Sequence, residues 1–196
     1  MAAVGVVLMT PFPESAWFTG KLLLALPAIG DPRFDHAIIA MVSHDDEGAM
    51  GIAIGMAGDF TVSEILDQAQ LPGAISPDPW VLIGGPVDPQ RGFVLHSRDW
   101  GGQDTIDVAG KFAVSASLDV LRAIAEGRGP SRWLLAMGYA GWGAGQLEAE
   151  LAADAWHVTD IEDTILFDLA PESRWAATMA RDGIDPARIA VQGGRA

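Results

Sequence analysis

The sequence predicts a single α+β domain over residues 1–196. Short apolar segments bounded by turn residues come in adjacent pairs, which favours antiparallel strand pairs over strands that alternate strictly with helices. The chain is 49% hydrophobic and contains no internal repeat or long linker. A chain of this length can therefore bury one sizeable core.

Three strands are predicted at the start of the domain, at residues 20–26, 37–43 and 49–55. The segment HDDEG joins the second strand to the third and has the length of a hairpin loop. Thr61 and Glu64 then have the spacing of a capping box, so a short helix is expected from Thr61. That helix should end before Pro72.

A second strand pair is predicted at residues 80–83 and 92–96, joined sharply by GGPVDPQR, and a weaker strand follows at Lys111. Ser117 is expected to cap a helix that closes at Gly127.

The last third of the chain is predicted to contain one strand and two helices. The strand covers residues 132–137 and runs into the glycine-rich stretch MGYAGWGAGQLEAEL. The helix after it carries Leu147 and Leu151 one turn apart, and a final helix begins at Pro171.

The charge of the chain argues against several classes of partner. Twelve Lys and Arg stand against 26 Asp and Glu, which gives a net charge of −14, and no Lys or Arg occurs from Phe34 to Gln90. Binding a nucleic-acid backbone requires clustered cations, so direct binding to nucleic acid or to acidic membranes is disfavoured.

The composition also bears on location and on covalent chemistry. The apolar opening stretch stops at Thr10-Pro11, well short of the roughly 20 residues of a membrane span, and it lacks the preceding basic residues of a signal peptide. We therefore expect a cytoplasmic protein without a membrane anchor. The absence of cysteine excludes disulfides, thiolate metal sites and a cysteine nucleophile.

The glycine-rich stretch is the first candidate site. A strand, glycines and a helix N-terminus can hold an anion, but the spacing is not GxGxxG, no Lys-Ser/Thr follows, and Glu148 would repel a phosphate. One alternative is a tight corner in which the glycines permit close packing. Another is a ligand or partner surface made by Tyr139, Trp142 and Gln146. No cofactor is expected.

The segment GGPVDPQRGFVLHS is the second candidate site. Gly84 and Gly85 free the backbone, Arg91 offers a fork for a carboxylate or phosphate, and His96 can act as an acid, a base or a hydrogen-bond donor. These residues predict a site for a small anion. The alternative is a proline-stiffened hairpin in which Arg91 pairs with Asp88.

The sequence assigns no catalytic residue and no metal site. No serine lies in G-x-S-x-G, and no motif brings Ser, His and Asp together. His44 next to Asp45, Asp46 and Glu47 could bind a divalent ion weakly, but acids at a hairpin tip are usually only solvated.

Four ordered segments resemble the YqgE/AlgH family of bacterial proteins. They are GKLLLALPAIGDPRFDHAIIAMVSHDDEGAMGIAI, IGGPVDPQRGFVLHS, MGYAGWGAGQLEAEL with DAWHV, and ILFDLAPESRWAATMARDGIDPARIA, which cover most of residues 19–190. The resemblance implies a bifurcated, mostly antiparallel sheet curled into a pseudo-barrel with flanking helices. It implies no catalytic activity, although one branch of the family carries the label of a transcriptional regulator.

The chain departs from the family pattern at several positions. Gly55-Met56-Ala57 stands where relatives typically have Asn-Arg-Pro, which removes a cation, and Val42-Ser43 precedes His44 where Cys is common. Asp154 and His157 replace the usual Asn and Leu, and the chain ends in Gly-Gly-Arg-Ala. A function that requires that Arg or Cys is therefore not expected here.

Together these observations predict a non-enzymatic cytoplasmic binding or regulatory protein. Its partner would be a small anionic ligand or another protein, held near Gly84, Gly85, Arg91, His96, Tyr139, Trp142 and Gln146. One alternative is a small-molecule hydrolase with His96 as the base and Arg91 as the anion clamp. A second alternative is a transcriptional regulator, for which the acidic charge disfavours direct DNA binding.

Overall fold

A computed structural model describes residues 17–73 and 75–185. The apolar opening stretch, for which neither a signal peptide nor a membrane anchor is predicted, and the C-terminal Gly-Gly-Arg-Ala lie outside the described residues. The ten strands are β1 (Lys21–Ala25), β2 (Ile38–Asp45), β3 (Gly48–Ala53), β4 (Ala57–Thr61), β5 (Trp80–Ile83), β6 (Val87–His96), β7 (Ile106–Val108), β8 (Phe112–Ser115), β9 (Trp133–Gly143) and β10 (Trp156–Asp160). The α-helices are α1 (Val62–Gln68), α2 (Leu118–Ala125), α3 (Gln146–Ala152) and α4 (Pro171–Arg181). Short 3₁₀ turns cover Pro27–Ile29 and Pro32–Phe34, and a π-helical turn covers Thr164–Asp168.

The sheet forks at β9, which confirms the predicted α+β fold with a bifurcated, curled sheet. The strands run in the order β10-β1-β2-β3-β9-β6-β8-β7, and a second branch, β4-β5, joins β9 separately. The pairs are antiparallel except β5 with β9, which is parallel with Leu82 opposite Ala136. Because β9 has eleven residues, one of its edges can pair with β6 while the other pairs with β5 at Ala136 and Met137 and with β3 at residues 140–143.

Both faces of the sheet are buried, which explains the continuous apolar runs of the early strands. Leu22 and Leu24 face an inner cluster that α4 and the π-helical turn help to close, whereas Leu23 faces a second cluster with Leu147 of α3. A third cluster lies under α1 and α2 and includes Leu66. Because side chains alternate along a strand, neighbouring residues of one strand enter cores on opposite faces of the sheet.

Two local predictions are confirmed in detail. β2 and β3 form the expected hairpin, with Asp45 opposite Gly48, and the Asp45 carboxylate accepts hydrogen bonds from the backbone N–H groups of Glu47 and Gly48. The capping box is complete because Thr61 Oγ1 accepts from Glu64 N while Glu64 Oε2 accepts from Thr61 N. The strand at 112–115 and the helices at 118–125, 146–152 and 171–181 also occur where they were expected.

Other predictions are corrected. β5 and β6 do not pair with each other, since each pairs with β9 instead. β9 continues into the glycine-rich stretch as far as Gly143, so the first seven residues of that stretch are strand rather than loop. Ser117 starts α2 without capping it, because its hydroxyl donates to Asp104 Oδ1.

Strands β4, β7 and β10 were not predicted. β4 and β7 are exposed along much of their length, so they lack the apolar pattern from which the other strands were recognised. None of the helices in the described part of the chain combines the length and the apolar character needed to cross a bilayer.

Candidate ligand-binding cleft

The fold brings the two glycine-rich candidate segments together. The backbone N–H of Gly84 donates to Met137 O at 2.7 Å, and a Cβ added to Gly84 would lie 2.2 Å from Gly138 O. A Cβ on Gly85 would lie 2.1 Å from the carbonyl carbon of Tyr139. These glycines are therefore required by the close approach of two backbones.

Arg91 and Tyr139 both contact Phe93. The Arg91 guanidinium lies 5.1 Å from the centre of the Phe93 ring, and the Tyr139 ring meets the same ring edge to face at 5.9 Å. The alternative pairing of Arg91 with Asp88 is not found, since no ion pair joins these two described residues. Arg91 is exposed and keeps its hydrogen-bond donors available to solvent.

His96 is completely buried, at 0% exposure, so it does not share a solvent-accessible surface with Arg91. Its Nδ1–H donates to Ser97 O at 2.8 Å, which leaves Nε2 as the acceptor in a 3.0 Å bond with Ser115 Oγ. Burial lowers the pKa of the ring. His96 lies five positions after Arg91 on β6, an odd number, so their side chains point to opposite faces.

Trp142 and Gln146 form a closed polar cluster with Glu150. Trp142 Nε1 and Trp156 Nε1 donate to Glu150 Oε2 at 2.9 and 2.7 Å, and Gln146 Nε2 donates to Glu150 Oε1 at 2.9 Å. Gln146 Oε1 accepts in turn from Gly143 N at 3.1 Å. This network fixes the corner between β9 and α3, and Trp142 is only 7% exposed.

His44 is likewise taken up by internal contacts. Its Nδ1 accepts from Phe18 N at 3.2 Å, and its Nε2 lies 2.8 Å from Glu148 Oε1, with the side chain 2% exposed. Neither ring nitrogen is open to a divalent ion at the hairpin tip. Among residues 17–73 and 75–185, no three His, Asp or Glu side chains gather as a metal-binding group.

A large concave surface uses residues that the sequence did not single out as a site. A cleft of about 750 Å³ lies between the turn after β1, the β3–β4 connection, the GGP segment and α4. We call it the aromatic cleft. Its main apolar side chains are Phe34, Ile38, Met56, Ile83, Pro86 and Trp175, and its charged or titratable side chains are Arg33, Asp35, His36 and Glu172. Of the sequence-predicted residues, Gly85 lines it.

The rim of the aromatic cleft is organised by side-chain pairs. The Arg33 guanidinium forms an ion pair with the Asp31 carboxylate, with Nη2 2.6 Å from Oδ2. This hydrogen bond lowers the pKa of Asp31. His36 has a left-handed backbone (φ 54°), its Nδ1 lies 2.9 Å from Asp35 Oδ1, and its ring meets Trp175 at 4.4 Å. The Arg33 charge is thus compensated by Asp31, while the carboxylates of Asp35 and Glu172 remain at the cleft.

Buried contacts hold the walls of the aromatic cleft in place. Trp175 Nε1 donates to Ala25 O at 3.0 Å. Arg174, which is 4% exposed, donates to Ile54 O at 2.6 Å and to Leu169 O at 3.1 Å, and burial lowers its pKa to about 10. The bond to Ile54 fixes the chain immediately before Gly55 and Met56, which line the cleft.

Comparison with known proteins identifies the family. The model of the AlgH-like family matches residues 22–187. The chain belongs to the AlgH-like family. The match spans the core strands, the aromatic cleft and all four helices.

Relatives of this AlgH-like chain match it over more than nine-tenths of its length. It is 56% identical over 181 residues to a UPF0301 protein of Sphingopyxis alaskensis, covering 92% of this chain and 97% of that one. It is 50% identical over 184 residues to a UPF0301 protein of Novosphingobium aromaticivorans, covering 93% and 99%. The solution structure of the AlgH protein from Pseudomonas aeruginosa matches with a TM-score of 0.77 and 39% identity, covering 95% of this chain and all of the other. UPF0301 proteins form a family without an established function.

One departure of this AlgH-like chain from the family pattern falls in the aromatic cleft. Gly55 and Met56 line it at the position where the resemblance implied Asn and Arg. Met56 is 55% exposed there, so an apolar side chain stands where the resemblance implied a cation. No local pattern connects residues 33–36 with residues 172–176, which explains why the sequence did not indicate this site.

Proposed function

We propose that this AlgH-like chain is a non-enzymatic cytoplasmic binding protein with a regulatory role, and that the aromatic cleft is its ligand site. The ligand would have an apolar body and a positively charged or hydrogen-bond-donating end. One observation carries this proposal, namely the charge of the cleft lining. The carboxylates of Asp35 and Glu172 line the aromatic cleft, and Arg33, the only Lys or Arg among its described lining residues, is already paired with Asp31.

The size and rigidity of the cleft support a small-molecule ligand. Its volume of about 750 Å³ is within the range of roughly 300–1,000 Å³ that is usual for ligand pockets. The Trp175 ring is held by its bond to Ala25 O, and the opposite wall is held through Arg174 and Ile54. Little ordering would therefore be needed on binding, which favours affinity.

The charge of the lining supports a cation more than an anion. A carboxylate about 4 Å from a ligand ammonium contributes about 1 kcal/mol in a water-like environment, or roughly a fivefold change in affinity. An anionic ligand, as expected from the sequence, would instead depend on Arg91, whose guanidinium is exposed above Phe93. That expectation stays a prediction, and Arg91→Ala would test it separately.

A matched pair of probes tests the proposal. We would titrate the protein with phenethylamine and with 3-phenylpropionate, which share an aromatic body and differ in charge, and follow backbone amide shifts by NMR. The amine should give saturable shifts at residues 33–36 and 172–176 and should bind at least about fivefold more tightly than the acid. Glu172→Gln should weaken amine binding, whereas Glu47→Gln at the distant hairpin tip should not. Tighter binding of the acid, or shifts confined to other surfaces, would refute the proposal.

A further inference from the structure

A second concave surface lies beside the aromatic cleft, at the outer branch of the sheet. It has a volume of about 570 Å³ and is lined by Gly58–Phe60 of β4, the exposed Ile83 of β5, Ile65 of α1 and Pro89 of β6. We call it the β4–β5 groove. It shares Ile83 and Gly85 with the aromatic cleft but is otherwise formed by different residues.

Two large apolar side chains of the β4–β5 groove are exposed to solvent. Phe60 is 52% exposed and Ile83 is 47% exposed, and both line the groove. Exposed apolar side chains that are grouped in this way mark interaction surfaces, whereas isolated ones are common on any protein.

Strand β4 also offers backbone hydrogen-bonding groups. Within the described part of the chain it pairs only with β5, so its other edge has no strand partner. An irregularity in register between Ala57 and Thr61 limits regular pairing to a short stretch. An extended peptide can add to such an edge through main-chain hydrogen bonds while its alternate side chains enter a neighbouring groove.

The charge around the β4–β5 groove selects the chemistry of that peptide. Among the described residues, no Lys or Arg lines it, whereas Asp59 does. The exposed residues Asp67 and Asp88 directly precede the lining residues Gln68 and Pro89 in the chain. The next cation along the chain, Arg91, lies over Phe93 of the inner cluster, on the other face of the sheet from the Ile65 and Met137 that line the groove.

We propose that the β4–β5 groove binds an extended, basic segment of a protein partner. Apolar side chains of that segment contact Phe60 and Ile83, and its Lys or Arg side chains face Asp59, Asp67 and Asp88. A second copy of this chain fits less well, because each copy carries a net charge of −14 and would bring the same acidic edge. This inference does not rest on the ligand proposed for the aromatic cleft.

The test uses two capped heptapeptides on the full chain, one alternating lysine with valine and one alternating glutamate with valine. Binding is measured by calorimetry and mapped by amide shifts. The basic peptide should bind, shift the amides of residues 57–61, and lose affinity as salt is raised. The acidic peptide should not bind.

Four variants separate the groove from general charge attraction. Asp59→Arg should weaken binding of the basic peptide at least tenfold, and Phe60→Ser should weaken it about fivefold. Asp46→Arg at the exposed β2–β3 hairpin tip makes the same charge change elsewhere, and Leu118→Ser removes an apolar side chain that is 53% exposed on α2. Both controls should leave affinity within twofold of the parent protein.

Three results would overturn the inference. The first is the absence of binding by the basic peptide at millimolar concentration. The second is an equal loss of affinity in Asp59→Arg and Asp46→Arg, which would mean nonspecific attraction to an acidic protein. The third is a dimer that forms with rising protein concentration and is abolished by Asp59→Arg, which would make a second copy the occupant of the edge.

Discussion

The indole rings of Trp142 and Trp156 meet edge to face with their centres 5.9 Å apart, and their N–H groups donate to the same oxygen of Glu150. Both rings are buried, at 7% and 4% exposure. A single carboxylate therefore satisfies two buried donors from β9 and β10. This relationship gives the glycine-rich corner a structural role at Trp142.

Replacing Glu150 by Ala should destabilise the protein. Two buried indole N–H groups would lose their acceptor, and each unsatisfied group costs about 1–3 kcal/mol, so we expect a loss of about 2–6 kcal/mol in the free energy of unfolding. Urea denaturation followed by fluorescence measures this quantity. Glu150→Gln, which keeps an acceptor oxygen, should lose less, and Glu47→Ala on the exposed hairpin tip should lose almost nothing. Equal stability of Glu150→Ala and Glu47→Ala would show that the indoles find other partners.

Replacement by alanine should destabilise the protein at Gly85 but not at Gly143. Gly85→Ala would place a Cβ 2.1 Å from the Tyr139 carbonyl carbon at a φ of 150°, so the backbones of two strands would have to separate. We expect a loss of at least about 2 kcal/mol in thermal or urea unfolding, as for severe overpacking. Gly143→Ala is the matched control, because an added Cβ there meets nothing within 4 Å. If both variants were equally stable, close backbone packing would not be the reason for Gly85.

His96 should make stability depend on pH in mildly acidic solution. Burial lowers the pKa of its ring, so the unfolded chain takes up a proton more readily than the folded one. The contribution is complete above the unfolded pKa of about 6.5 and is lost as the pH falls below that value. The slope due to His96 can reach about 1.4 kcal/mol per pH unit.

The pH effect can be isolated with His96→Gln, which removes the titrating ring. Unfolding free energies at pH 7.5, 6.5, 6.0 and 5.5 should fall more steeply in the parent protein than in the variant, whatever the stability of the variant at neutral pH. Hydrogen bonds from Ser131 and Ser97 lower the pKa of Asp99 to about 2, so the stability that this carboxylate contributes is constant over this pH range and is lost only at more acidic pH. Parallel curves for the two proteins would mean that His96 does not titrate on unfolding in this range.

The candidate site was predictable only in part. Gly85 lines the aromatic cleft. Trp142 and Gln146 line a second, smaller cleft that shares Arg33 with the aromatic cleft and also includes Glu150. Arg91 and Tyr139 lie together on Phe93, but His96 is enclosed in the core. A histidine in an alternating strand has the same sequence pattern whether its face is covered or open, so its burial could not be inferred locally.

Features that depend on near neighbours in the chain were predictable from the sequence. The Asp45 turn, the capping box of Thr61 and Glu64, and the strands with apolar runs all arise from hydrogen bonds or side-chain periodicity within a few residues. The ordered motifs also sufficed to indicate the family, and the family implied the bifurcated sheet.

Contacts between distant segments became visible only in the folded protein. It placed β5 and β6 on separate pairings with β9, and it brought His36 to within 4.4 Å of Trp175 across most of the chain length. Such pairings are stable because they bury both faces of one sheet at once. The free energy of that burial depends on the whole assembly of strands and helices. No single segment carries it, so the aromatic cleft and the β4–β5 groove could be found only in three dimensions.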